Sequence, residues 1–210
     1  MHQFCKKKAS SHGSGTYGFR NQERKRLGVK RGSTESEHAI SYQAASRHNS
    51  FARKSKKGRG WENILPAYLE ETRFHRANIG TGNRKTPDES GFNSRSYWDS
   101  QYTLLEQDDA ATAIQLNQLT YAYQPGFKTS PLGTVSDQSF YNMVMTMKIP
   151  TPNAEHTGYD FREPTIDERL EMIVARLVTR TESDTYPTRE QIEEIRSRII
   201  QELELNNTPQ

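Results

Sequence analysis

Thr165-Ile166-Asp167-Glu168-Arg169-Leu170-Glu171-Met172-Ile173-Val174-Ala175-Arg176-Leu177 decides the fold class. Thr165 stands three residues before Glu168, the spacing at which the two side chains each satisfy the other's backbone N–H at a helix start. Leu170, Ile173, Val174 and Leu177 then recur on one helical face. Thr188 precedes Gln191 in the same way, ahead of Ile192, Ile195, Ile199 and Leu203. The connection around Asp184–Pro187 is short, so the two segments are expected as an antiparallel helical hairpin over 165–206.

Upstream, Asp108 and Asp109 suit a helix N-terminus, and Ala110, Ala113, Ile114 and Asn117 follow at helical spacing, with Leu116 and Leu119 widening the stripe. Ser139 to Met147 predicts a further helix with Phe140, Met143, Val144 and Met147 on one face. Pro150, Pro152 and Gly158 mark 149–164 as a linker. Nearer the start, Ala39-Ile40-Ser41-Tyr42 reads as a short strand, and Leu69 to Asn78 as a helix ended by Gly80-Thr81-Gly82. Residues 83–95 read as a polar loop. The expected class is α+β: a mainly helical domain with a small strand-containing unit, behind a flexible basic arm over 1–34 and with its core over 35–148.

Composition narrows the function. The 210 residues are 32% hydrophobic and 26% charged, with a mean hydropathy of -0.97, which implies a modest core. The net charge of +3 conceals a division. Residues 1–86 hold 19 Lys and Arg against 6 Asp and Glu, whereas residues 87–210 hold 10 against 20. A basic half attracts polyanions such as nucleic acid. The single cysteine, Cys5, excludes an intramolecular disulfide and a cysteine-rich zinc site. No apolar run is long enough for a membrane helix, and Met1 to Lys8 lacks the apolar stretch of a cleavable signal. Synthesis in the cytoplasm is expected, with export, if any, by a dedicated machine.

The residues with chemistry to offer lie in the basic half: Glu37-His38, then Asn63, then His75-Arg76. An imidazole at His38 can act as general base, with Asn63 orienting it. Glu37 and His75 supply a carboxylate and an imidazole suited to Mg, Mn, Ni or Zn. Arg53, Lys54, Lys56, Lys57 and Arg59 form a basic loop able to hold phosphates, and Arg76 stands beside His75 to meet a scissile one. Tyr97, Trp98 and Tyr102 offer rings for base stacking. Gly80-Thr81-Gly82-Asn83-Arg84-Lys85 lacks the spacing of a P-loop.

Ser36-Glu37-His38-Ala39-Ile40, Glu62-Asn63-Ile64-Leu65-Pro66 and Phe74-His75-Arg76 together resemble the His-Asn-His (ββα-metal, His-Me finger) nucleases of toxin type, over roughly residues 35–82. The resemblance implies a ββα-metal unit, a divalent cation on Glu37 and His75, His38 as general base and Asn63 as the family asparagine. Many members carry a second His or Asn one helical turn on; Asn78 is the nearest match, because Ile79 occupies the next place. The implied protein is a metal-dependent endonuclease of a bacterial toxin or effector, with DNA or RNA as substrate, a cognate immunity protein and a secretion apparatus as partners. Two other readings stand beside it: a non-catalytic nucleic-acid-binding or assembly protein, and an effector with another activity, such as a nucleotide-modifying transferase.

Overall fold

The computed structural model describes residues 15–47, 62–153, 159–181 and 186–207. The basic loop residues Arg53, Lys54, Lys56, Lys57 and Arg59, together with Cys5, lie outside the described residues.

The chain opens with a 3₁₀ turn at Tyr17–Phe19 and a short helix α1 (Arg20–Arg26). Strand β1 (Thr34–His38) and the one-turn helix α2 (Tyr42–Ala45) follow. Strand β2 (Ala67–Glu71) runs directly into α3 (Thr72–Ala77). Three longer helices come next: α4 (Ser94–Glu106), α5 (Ala110–Ala122) and α6 (Val135–Thr146). A second strand pair, β3 (Ile149–Pro152) and β4 (Tyr159–Arg162), precedes α7 (Ile166–Thr179) and α8 (Arg189–Asn207). The architecture is α+β and mainly helical, as the sequence predicts. Among the described residues no helix is long and apolar enough to cross a membrane.

Strands β1 and β2 are antiparallel, with Glu37 opposite Tyr68 and His38 opposite Ala67. With α3 they form the strand-strand-helix unit, but its boundaries differ from those expected. The first strand is the polar Thr34–His38 rather than Ala39–Tyr42. Ala39 and Ile40 instead make a fully buried turn, and the Ser41 hydroxyl accepts from Ala44 N–H to start α2. Leu69 belongs to β2, so the helix begins only at Thr72. The described part of the expected flexible arm, from Gly15, packs on the domain: Tyr17 N–H donates to Leu65 carbonyl, Thr16 bridges Pro66, and Glu23 of α1 is buried against Asn142 of α6.

Helix α5 lies at the centre. Ala110, Ala111, Ala113 and Ile114 are buried, and their small side chains let neighbouring helices approach closely. Leu119, counted in the apolar stripe, is exposed, whereas Asn117, Gln118 and Tyr121 are buried. The C-terminal helices join the same core rather than standing apart: Met172, Ile173 and Ile199 cluster with Ile40, Tyr68, Phe140 and Met143. The segment read as a linker carries the β3–β4 pair, whose Ile149 and Tyr159 also enter that core. Helix α4 was absent from the expectation because its buried residues, Ser94, Tyr97, Gln101 and Leu105, include only two large hydrophobic ones.

Two charged arrangements hold this packing. Arg176, 3% exposed, donates through Nη1 to Glu70 (2.8 Å) and Gln118 (3.0 Å) and through Nε to Asp137 (2.9 Å). Removing one member of such a buried set leaves its partners charged and unpaired. Arg176→Met is therefore expected to cost about 3–5 kcal/mol of unfolding free energy, measured by urea denaturation. At the start of α7 the capping box forms as expected, with Thr165 and Glu168 each bonding the other's backbone N–H. The Arg162 guanidinium grips Glu168 (2.7 and 2.8 Å) and, with the Thr165 N–H, pulls its carboxyl down to about 2 against the effect of burial. A carboxyl lowered in the folded state stabilises above its unfolded value, near 4.5, and that contribution is lost as pH falls towards about 2. Glu168→Gln should thus destabilise by about 1 kcal/mol at neutral pH, with the difference closing as denaturation is repeated from pH 4.5 downwards.

Candidate active site

Side chains two apart on a strand share a face, and Glu35 and Glu37 of β1 both meet His75 of α3. His75 Nδ1 lies 2.6 Å from Glu37 Oε2, and its Nε2 lies 3.4 Å from Glu35 Oε2. Glu35 also takes two hydrogen bonds from Arg76, whose side chain is otherwise exposed. Glu37 is 5% exposed, and its second oxygen accepts from Asn117 Nδ2 at 2.8 Å. The same amide donates to the Tyr97 hydroxyl (3.2 Å), while Asn117 Oδ1 accepts from Tyr68 (3.2 Å) and Gln118 (2.8 Å). Burial holds the Tyr68 and Tyr97 phenols well above their usual range, so both remain neutral hydrogen-bonding groups.

His38 occupies the opposite face of β1. Its ring stacks on Tyr17, centroids 4.1 Å apart, and the Arg20 guanidinium covers the far side of Tyr17 at 4.1 Å. Its Nε2 stands 3.7 Å from Glu62 Oε1. The carboxylate beside His38 is therefore Glu62. Asn63, expected to end a strand and orient the imidazole, sits half-buried in the 3₁₀ turn Glu62–Ile64 ahead of β2 and makes no hydrogen bond to His38. Asn78 is also committed elsewhere: its amide donates to Thr120 (2.9 Å) and its oxygen accepts from Gly80 N–H (2.7 Å). It fastens the Gly80–Gly82 turn and does not line the cavity into which Glu37 and His75 open. Gly80 is itself required there, since a Cβ would stand 2.7 Å from the Tyr97 ring.

Glu37, His38 and His75 open into one cavity of about 320 Å³, walled by Tyr97, Trp98 and the Gly80–Gly82 turn. The turn behind it is pinned by Gln101, which accepts from Ser41 N–H and donates to the Ala39 and Ala113 carbonyls. Tyr17, Glu62, Tyr97 and Asn117 thus belong to the site, although the motif does not name them. Only the aromatic pair Tyr97-Trp98 carried a signal in the sequence.

Burial pushes the His75 imidazole down, but its hydrogen bond to Glu37 and the charges of Glu37, Glu35 and Glu70 outweigh it and hold its pKa above the usual value. The protonated imidazole donates to Glu37. A raised pKa stabilises fully below the unfolded value, near 6.5, and the contribution fades as pH rises through the folded one. His75→Ala is expected to lose about 1.5–3 kcal/mol in mildly acidic buffer, and parallel denaturation curves in alkaline buffer should show a smaller loss.

Residues 4–157 match the model of the Agrobacterium VirD5 protein family, and the chain belongs to that family, one of secreted bacterial effectors. A secreted effector implies a secretion apparatus as a partner. No curated protein and no solved structure matches the chain.

Proposed function

We propose that this effector is a phosphodiester-cleaving enzyme, a nuclease, with its catalytic centre in the Glu37–His38–His75 cavity. One observation carries the reading: a strand-strand-helix unit brings an acid, a candidate base and a helical imidazole to one opening, each held by a dedicated partner. His38 takes the proton of the attacking water, with its ring stacked on Tyr17 and Glu62 Oε1 standing 3.7 Å from its Nε2. Glu37 and His75 would hold the divalent cation, Mg, Mn, Ni or Zn. The donor types fit, since Asn117 fixes one carboxylate oxygen and leaves the other towards the imidazole. Among the described residues no group of three or more His, Cys, Asp and Glu is arranged for a metal, and the proposal rests on Glu37 and His75 alone. An imidazole binds a cation only with one ring nitrogen unprotonated, so cation affinity rises with pH. When bound, the cation supplies stabilisation of charge on the phosphate.

Tyr97 and Trp98 line the opening and offer faces for a base. The strongly basic first half of the chain favours a nucleic-acid substrate. Export through a secretion system and a protective immunity partner in the producing cell complete the reading.

Plasmid DNA and total RNA incubated with the purified chain and Mg, Mn, Ni, Zn or EDTA test it. Cleavage that needs metal and falls at least about 10²-fold in His38→Ala, with retention in a gel-shift assay unchanged, is the expected result. Retention without cleavage by either protein, in every metal, would move the assignment to a nucleic-acid-binding module.

A further inference from the structure

Helix α1 and the turn after it set a compact group of cations beside β1. Arg24 donates through Nη2 to the Thr34 carbonyl (3.2 Å) and through Nη1 to Asn21 (3.2 Å). Arg31, in the turn, forms a β-bridge with the same Thr34, so the two arginines meet at the start of β1. Gly28 and Gly32, at φ 66° and 103°, let the chain double back there, a backbone conformation that residues with a Cβ rarely adopt. At the other end of the strand Arg20 donates to the Tyr17 carbonyl (2.8 Å) and covers the ring that stacks on His38. The cations thus flank all 5 residues of β1, from Thr34 to His38, over roughly 13 Å.

These charges are not neutralised where they stand. Glu23, the one carboxylate over 20–31, is buried and taken by Arg26 and Asn142. Glu35 of β1 is taken by Arg76 and lies against His75. Among the described residues, Arg20, Arg24, Lys25, Lys30 and Arg31 therefore have no ion-pair partner. The last three are exposed, and Arg20 and Arg24 are half-buried. Burial, and then the like charges of Arg20 and Arg31, hold the Arg24 guanidinium below its ordinary range, and Glu35 offsets less than either of them adds. Arg24 Nε is buried without a hydrogen-bond acceptor. Like charges crowded in this way repel one another, and a polyanion with closely spaced charges relieves that repulsion along the whole strip. A lipid surface fits less well. The large exposed apolar side chains among the described residues, Leu119, Tyr123, Leu132, Tyr186 and Leu205, all lie elsewhere, so the strip lacks the apolar face that an interfacial anchor buries.

We infer that the strip from Arg31 through Arg24 to Arg20 is a docking surface for the phosphodiester backbone of a nucleic acid, leading it past Tyr17 to His38. Lys25, Lys30 and Arg31 meet phosphates as mobile cations, whereas Arg20 and Arg24 are held in place by their bonds to the Tyr17 and Thr34 carbonyls. Contacts of this kind position a strand and read no sequence. The inference rests on the nuclease reading for what happens at His38, and on the strip alone for binding.

Fluorescence anisotropy of the full chain with a labelled DNA duplex and a labelled single-stranded RNA tests the surface, in EDTA and between about 50 and 200 mM KCl. Phosphatidylserine vesicles serve as a third ligand. The triple variant Lys25→Gln/Lys30→Gln/Arg31→Gln should weaken binding of either oligonucleotide about tenfold or more and lower the slope of log K against log salt by about 2–3. Lys148→Gln/Arg189→Gln/Arg196→Gln removes the same charge elsewhere and should change that slope by less than about 1. Thermal melting verifies that each variant keeps the fold. Equal losses in the two triple variants, no oligonucleotide binding by the parent chain, or vesicle binding that the first variant loses while oligonucleotide binding is kept would each overturn the surface. Binding on the expected terms with no cleavage in any metal would instead remove the nuclease reading and leave the surface standing.

Discussion

Two buried carboxylates, Glu37 and Glu70, set the constraint on which the rest of this structure depends. They sit on neighbouring strands, 5% and 1% exposed, where a bare negative charge is strongly disfavoured. Each needs a cation inside the protein. His75 serves Glu37 from the helix that follows β2, and Arg176 serves Glu70 from a helix more than a hundred residues away in sequence. Between them runs an unbroken relay: Glu37 to Asn117, Asn117 to Gln118 and Tyr68, Gln118 to Arg176. Helix α5 supplies the two amides in the middle, which explains why its buried face turns polar at Asn117 and Gln118 after the apolar Ala110, Ala113 and Ile114. Such a network is high-stakes, since it specifies one arrangement when complete and is costly when any member is removed.

The division between what the sequence disclosed and what it hid follows from this same chemistry. Helices α5, α6, α7 and α8 bury enough Ala, Ile, Leu, Met and Phe at helical spacing to be read directly, and the caps at Thr165 and Thr188 form as their spacing requires. Strand β1 was hidden because its two buried residues, Thr34 and Glu37, are polar and lie on opposite faces, so no hydrophobic periodicity marks it. Ala39 and Ile40 drew the strand assignment instead, since they are apolar, yet they are buried in a turn that Gln101 holds from α4. Helix α4 escaped for a related reason, its interior being Ser94, Tyr97 and Gln101 with a single leucine.

At the site, the order Glu37-His38 and His75 was legible because residue type and order are local facts. Their partners were not, since each is chosen by tertiary contact. Asn63 had the right type and the right place in the order, but the 3₁₀ turn sets its neighbour Glu62 beside His38. Asn78 lies one residue past α3, where its amide is drawn to the Gly80 backbone and Thr120. Asn117, eighty residues from Glu37, orients that carboxylate, a part the motif gives to no asparagine.

The same relay bears on how far the family region can stand alone. The match to the VirD5 family ends at residue 157, before α7 begins. All the cavity residues lie within it, yet Glu70 and Asp137 would then lose Arg176 and Arg180. Met172, Ile173 and Ile199 would also be withdrawn from the core that holds Tyr68 and Phe140. Tyr68 in turn bonds Asn117, which positions Glu37. The catalytic unit proposed for residues 35–82 is thus shaped by a helix that the family region does not include. The C-terminal helices act as the internal counter-ion and cover of the site's own foundations, rather than as an appended hairpin.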